Sequence, residues 1–214
     1  MTFEYQLLLS LALIHTLALA SPGPDFALVV KLATQAQRRT ALASALGLAV
    51  AITLHTLLSL TGISLIIKSA ENIYIAVQLI GATYLAWMGL GAIREAIMHW
   101  RDHAQLKIIP TSTRELTALQ GFIQGLSTNL LNPKAMVFFI TLFSTLISPT
   151  VNLETKAAIT LLMFLLSLIW FSLIALVLSK PVIQQKMQRA TPMINLITGL
   201  LFVSVSLVII NGLF

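Results

Sequence analysis

The sequence predicts an all-α integral membrane protein with six transmembrane segments, arranged as two inverted three-helix repeats in which the first helix of each repeat is broken. Three observations carry this. Of the 214 residues, 57% are hydrophobic and 9% charged, and mean hydropathy is +0.93, whereas soluble domains carry about 25% charged residues. The apolar residues fall in charge-free runs: Tyr5–Pro24, Thr40–Ile67, Asn72–Ile93, Leu116–Pro133, Ala135–Leu153, Ala157–Ser179 and Ala190–Phe214. A spanning helix needs about 20 apolar residues. Finally, two breaks stand where an apolar helix would otherwise continue, Ser21-Pro22-Gly23-Pro24-Asp25 and Asn132-Pro133-Lys134. Joining the two runs around the second break leaves six segments.

Segment one reaches from Phe3 to Arg38. As one straight helix it would run about 54 Å against a ~30 Å hydrocarbon core. It must tilt, bend or re-enter at Pro22-Gly23-Pro24, where each proline removes a backbone donor and Gly23 permits unusual dihedrals. Carbonyls near residues 18–21 are then free to face a ligand. Ala18-Leu19-Ala20 imitates a signal-peptidase site, but Glu4 precedes it and no Lys or Arg does. The basic n-region is missing, so an uncleaved broken helix is expected.

Segment two carries Ala43, Gly47 and Ala51 at a spacing of four, a stripe that lets helix backbones approach closely. Segment three holds Gly81-x-x-Tyr84-Leu85 and closes the first repeat, residues 1–97. Residues 98–115 form a polar connecting loop, with Trp100 at the expected membrane interface and Tyr5 and Tyr74 marking the opposite face. Segment four, Leu116–Ser148, repeats the long broken pattern. Gly121 and Gly125 lead there to Asn129 and the break at Pro133. After the unbroken fifth segment, Pro192 suits the first turn of the last helix. In that helix Gly199-x-x-Phe202-Val203 answers the Gly81 pattern. The second repeat, residues 116–214, belongs to the same single membrane domain. With three spans per repeat it must be inverted, as is common in transporters.

Loop charges orient the chain. Lys31, Arg38, Arg39, Arg94, Arg101, Lys107, Arg114, Lys180, Lys186 and Arg189 lie on the first, third and fifth loops. Lys68 and Lys156 alone lie on the second and fourth. The bias puts the odd loops in the cytoplasm and both termini outside. The net charge of +6 therefore does not indicate nucleic acid. No cysteine is present, which removes thiol relays and thiolate metal sites. No Gly-rich phosphate loop occurs, so the driving force is an ion gradient or the substrate gradient itself. No cofactor is expected.

A charge beside a helix break is costly in a membrane unless it lines a cavity. If Pro24 is laid on Pro133, Asp25 falls on Lys134. A carboxylate and an ammonium facing one cavity suit a zwitterion, and without substrate the two would pair. The candidate substrate-binding residues are Asp25, Lys134, Asn129, Asn132, Pro24 and Gly23. Asp25 could instead be a plain cap of the helix restarting at Phe26, and Lys134 could snorkel to an interface. His15, before the first break, and His55, midway along segment two, either relay protons or satisfy a hydrogen bond between helices. Asp25, His15 and His55 are thus the proton-coupling candidates. His99, Asp102 and His103 have spacing that could hold a metal, but their basic interfacial loop argues against it, and no metal site is expected.

The residues quoted resemble the LysE/RhtB family of bacterial amino-acid exporters over nearly the whole chain. Its first signature stands as Ser21-Pro22-Gly23-Pro24-Asp25-Phe26, its second as Gly125 through Asn129 to Asn132-Pro133-Lys134, and a third as Gly81-Ala82-Thr83-Tyr84-Leu85-Ala86-Trp87-Met88-Gly89. The stretch His15 to Phe26 looks most like the threonine exporter branch. The resemblance implies a non-enzymatic exporter of small neutral amino acids, threonine- or homoserine-like, driven by proton antiport in the bacterial inner membrane. Its partners would be the amino acid, protons, the lipid bilayer and, in a homo-oligomer, further copies of itself. One departure is Ile52, apolar where many members are polar or acidic, which weighs against a relay on segment two. A divalent-metal exporter on a similar scaffold would need acidic, His or Cys clusters at depth. A non-transporting membrane scaffold would not need opposed charges at two breaks.

Overall fold

The computed structural model describes residues 4–21, 23–69, 71–102, 116–148, 150–177 and 181–213. The described chain is helical: α1 Tyr5–Ala20, α2 Pro24–Gln35, α3 Arg38–Ser69, α4 Glu71–Asp102, α5 Ala118–Leu130, α6 Pro133–Leu146, α7 Leu153–Val177 and α8 Pro181–Asn211. Both expected breaks are present. α1 ends at Ala20, where the Ser21 N–H turns back to the Ala18 carbonyl at 3.2 Å, and α2 restarts with Pro24 in its first turn. Proline is tolerated there because the N–H it lacks would be unpaired anyway. The two helices meet at 58°. At the second break the Asn132 side chain accepts the Lys134 N–H at 3.0 Å and so caps α6. α5 begins with a capping box: the Gln120 N–H donates to Thr117 Oγ1 at 3.2 Å, and the Thr117 N–H donates to Gln120 Oε1 at 2.9 Å.

Among the described residues, α3, α4, α7 and α8 are long and apolar enough to cross a membrane, and α1–α2 counts as a fifth span if the bent pair is taken as one. α6 is apolar but shorter.

Two boundaries differ from the sequence reading. α4 continues to Asp102, so the first five residues of the expected 98–115 loop are helical; residues 103–115 lie outside the described chain. Nothing between Arg94 and Asp102 is a helix breaker. Pro192 does not open the last helix but lies inside α8, which starts at Pro181. Pro181 already supplies the first-turn proline, and no glycine stands between the two.

Small residues set the closest approaches. A Cβ on Gly121 would run into the Thr40 main chain, one on Gly125 into Ser44, and one on Gly47 into Phe122. Gly47 also meets Leu126, and Thr40–Gly121, Ser44–Gly125 and Gly47–Leu126 climb together in number, so α3 and α5 run parallel, backbone against backbone. Lipid tails give no hydrophobic drive between helices, and close van der Waals contact supplies the association. Thr40 Oγ1 also donates to the Leu116 carbonyl at 2.8 Å, which fixes the starts of α3 and α5 at one end. α4 and α8 pair in the opposite sense. Gly89 meets Gly199, and Ser206 Oγ donates to the Ala82 carbonyl at 2.8 Å. α4 and α6 are antiparallel too, with Gln78 Nε2 donating to the Ser144 carbonyl at 3.0 Å and Gly81 against Thr141. The buried core between these layers includes Phe138, Phe139, Phe143 and Phe171.

Candidate functional site

The two breaks face one another across a cavity of about 60 Å³. Its walls include His15, Ser21, Gly23, Pro24, Asp25, Asn129, Asn132 and Lys134, closed by an aromatic side of Phe138, Phe139, Phe171 and Phe202. All six candidate binding residues are therefore brought together. So is His15.

Asp25 sits in the first turn of α2. A helix N-terminus carries partial positive charge, which stabilises the carboxylate. Asn129 Nδ2 donates to Asp25 Oδ2 at 2.7 Å. Lys134 sits in the first turn of α6, where the same partial charge opposes a cation. It is held by a bond from Nζ to Ser21 Oγ at 3.0 Å, with Nζ 6.0 Å from the Phe202 ring centre, within cation–π range. The direct pair expected from the sequence is not formed. Each charge takes a neutral side chain as its partner while remaining in electrostatic reach of the other.

Gly23 corrects a second expectation. Its φ and ψ of −171° and −173° are extended, a conformation open to any residue. What the missing side chain leaves is room: the position of a Cβ there lies 3.6 Å from Lys134 Nζ. Nor are the carbonyls before the break all turned to a ligand. That of Ala18 accepts the Ser21 N–H, and that of Leu17 accepts Thr198 Oγ1 at 3.4 Å.

The two histidines have different places. His15 is 2% exposed. Ser167 Oγ donates to the Met163 carbonyl at 2.7 Å, so its oxygen is left to accept from His15 Nε2 at 2.9 Å. That network assigns the proton to Nε2 and leaves Nδ1 a bare acceptor. His55 stands one shell back. Its Nε2 donates to the Asn129 carbonyl at 3.2 Å, and its ring stacks on Phe139 with centroids 5.9 Å apart. A main-chain carbonyl only accepts, so this bond orients Asn129 and passes no proton toward Asp25.

Three cavity-lining residues each keep a buried polar atom without a hydrogen-bond partner: Asp25 Oδ1, Asn129 Oδ1 and His15 Nδ1. Buried polar atoms are rarely left so, and the exceptions call for an explanation. All three are acceptors, and an ammonium group has three donors. At the other side, a carboxylate would find the Lys134 ammonium and the N-terminus of α6, both favourable to an anion. Among the described residues no group of three or more His, Cys, Asp or Glu could hold a metal ion; His103 lies outside them.

Sequence reasoning gave no role to Ser21, Ser167 or the aromatic wall. Ser21 heads the first break and Phe202 stands in the Gly199 pattern, so both are members of sequence motifs. Their chemistry was hidden because Ser and Phe are ordinary in membrane helices. It also missed a wider cleft of about 560 Å³, which shares Ser21, Gly23, Pro24 and Lys134 with the cavity and adds Arg94, Glu95 and Asn195.

The chain is 32% identical over 197 residues to the threonine efflux protein of Escherichia coli K12, covering 92% of this chain and 93% of that protein. It is 31% identical over 196 residues to the threonine efflux protein of Salmonella typhi, with 92% and 93% covered, and 24% identical over 212 residues to an uncharacterized membrane protein of Haemophilus influenzae, with 97% and 98% covered. No solved structure matches it. Residues 16–212 match the profile of the LysE type translocators, a span that holds both breaks and every residue of the cavity except His15, and the chain belongs to that family.

Proposed function

We propose that the protein exports small neutral amino acids, threonine- or homoserine-like, across the bacterial inner membrane by proton antiport. The observation that carries this is the single cavity in which Asp25 and Lys134, from two different broken helices, stand among bare acceptors. Asp25 receives the substrate ammonium and Lys134 its carboxylate. The relatives named as threonine efflux proteins favour a small hydroxylated or aliphatic side chain. The aromatic wall bounds its size.

The cavity has room for a few waters and not for a whole amino acid. Loading therefore requires the two broken helices to part, and unloading requires them to part on the other side. A proton arriving on Asp25 from outside removes the charge that holds the ammonium, so the amino acid leaves there. Loss of that proton to the cytoplasm restores the carboxylate for the next substrate. Inward proton movement thus drives outward substrate movement. His15, with a bare Nδ1 at the cavity, is the second group able to carry the proton, and His55 is a positioning residue for Asn129.

The helix directions support six spans in two inverted repeats. α3 parallel to α5, and α4 antiparallel to both α6 and α8, is the pattern that results when each broken pair crosses once. One set of pairings also exchanges under a swap of halves: α3 packs on α5 and α6 as α7 packs on α1 and α2. With the charged odd loops inside, both termini are periplasmic.

Export of radiolabelled amino acids from loaded cells, screened across side-chain classes, tests the reading. Threonine and its small neutral analogues should leave faster than from cells lacking the protein. Equal export of basic or bulky aromatic amino acids, or no export of any, overturns it.

A further inference from the structure

The cleft beside the inner cavity is larger, about 560 Å³, within the ~300–1,000 Å³ usual for a ligand site. It lies between α4 and α8 on one side and the two breaks on the other. Ser21, Gly23, Pro24 and Lys134 belong to both spaces, so Lys134 stands at their junction. It feels two carboxylates, Asp25 on the inner side and Glu95 on the outer. Glu95 is tied across to α8 by Asn195 Nδ2, which lies 3.4 Å from Glu95 Oε2. Arg94 lines the same cleft. Arg94 and Glu95 follow the charge-free stretch of α4, and they are not what brings α4 against α8, since the Gly89–Gly199 contact does that.

We propose that this cleft is an outer binding site for the amino acid, in which Glu95 receives the ammonium and Arg94 the carboxylate before transfer to Asp25 and Lys134. The inference rests on the export reading and adds a station to it. Arg94 and Glu95 lie toward the end of α4 that leads into the basic loop. On the proposed topology that is the cytoplasmic end, the side from which an exporter loads. The arrangement repeats the inner one, one acid and one base for a zwitterion, but in a space wide enough for the whole molecule. Gly91 marks how open it is, because a Cβ added there meets nothing within 4 Å.

Equilibrium binding of radiolabelled threonine to the purified full chain in detergent reads the number of sites. Wild type should bind two molecules per chain, the outer more weakly. Glu95→Gln should bind one, because loss of a charged hydrogen bond weakens a site by about tenfold or more, while Glu95→Asp should keep two. Gly91→Leu fills the cleft without striking the fold and should also bind one. In efflux, Glu95→Gln and Gly91→Leu should raise the half-saturating internal threonine concentration about tenfold. One site in wild type, or two sites of unchanged affinity in both Glu95→Gln and Gly91→Leu, overturns the outer site and leaves the export reading standing. No threonine bound by wild type overturns both.

Discussion

Asp25 and Lys134 occupy equivalent places, the first turn of a helix after a proline break, but the same helix ends act on them with opposite sign. The N-terminus of α2 favours the Asp25 carboxylate, and that of α6 disfavours the Lys134 ammonium. Lys134 is therefore a cation whose local surroundings ask for an anion, which is what a substrate carboxylate supplies. Asp25→Asn keeps the shape and the bond to Asn129 within reach but cannot change charge. It should insert at normal protein level and lose proton-coupled efflux, measured as threonine export against a gradient. Lys134→Ala should weaken threonine binding by about tenfold or more, the scale of a lost charge-assisted hydrogen bond. Lys134→Arg should not restore it, because a planar guanidinium does not fit a space shaped for an ammonium. These two residues were legible in the sequence because a charge is conspicuous inside an apolar run. Ser21 was not, since its role depends on a partner 113 positions away.

At the scale of elements, the two breaks are built differently. The first has two prolines and an extended Gly23 with no side-chain cap. The second has one proline and the Asn132 cap. Asn132→Ala removes that cap, and the expected loss is about 1 kcal/mol, seen as a lower thermal midpoint in detergent. Gly125→Val should lower the midpoint further, by the equivalent of about 1–3 kcal/mol, because the valine side chain would have to displace the Ser44 main chain of α3. The Gly121–Gly125 stripe was readable as a packing face, and its partner proved to be α3. The ends of α4 and α8 were not readable. Charged residues after Ile93 resemble a loop, yet they are good helix formers and the helix simply continues past them. Pro192 resembles a start, yet a proline inside a long helix is tolerated where neighbouring helices hold it.

For the whole molecule, broken helices, hydropathy and loop charge gave the order of the segments, because each is a local property of the chain. Which helices touch was beyond them, since pairing depends on shape complementarity between distant glycines such as Gly89 and Gly199. The proposed topology places Phe214 in the periplasm, so a C-terminal alkaline phosphatase fusion should be active and a C-terminal fluorescent fusion dark. The opposite pattern would reverse the direction of transport assigned to the cleft and cavity. The central claim is that an inward proton gradient acts through Asp25 to drive the amino acid out. Proteoliposomes loaded with radiolabelled threonine measure this directly when the outside is acidified. The account predicts that efflux through the wild type quickens with the gradient and that efflux through Asp25→Asn does not respond to it. A wild type indifferent to the gradient, or an Asp25→Asn protein that still follows it, would contradict the account.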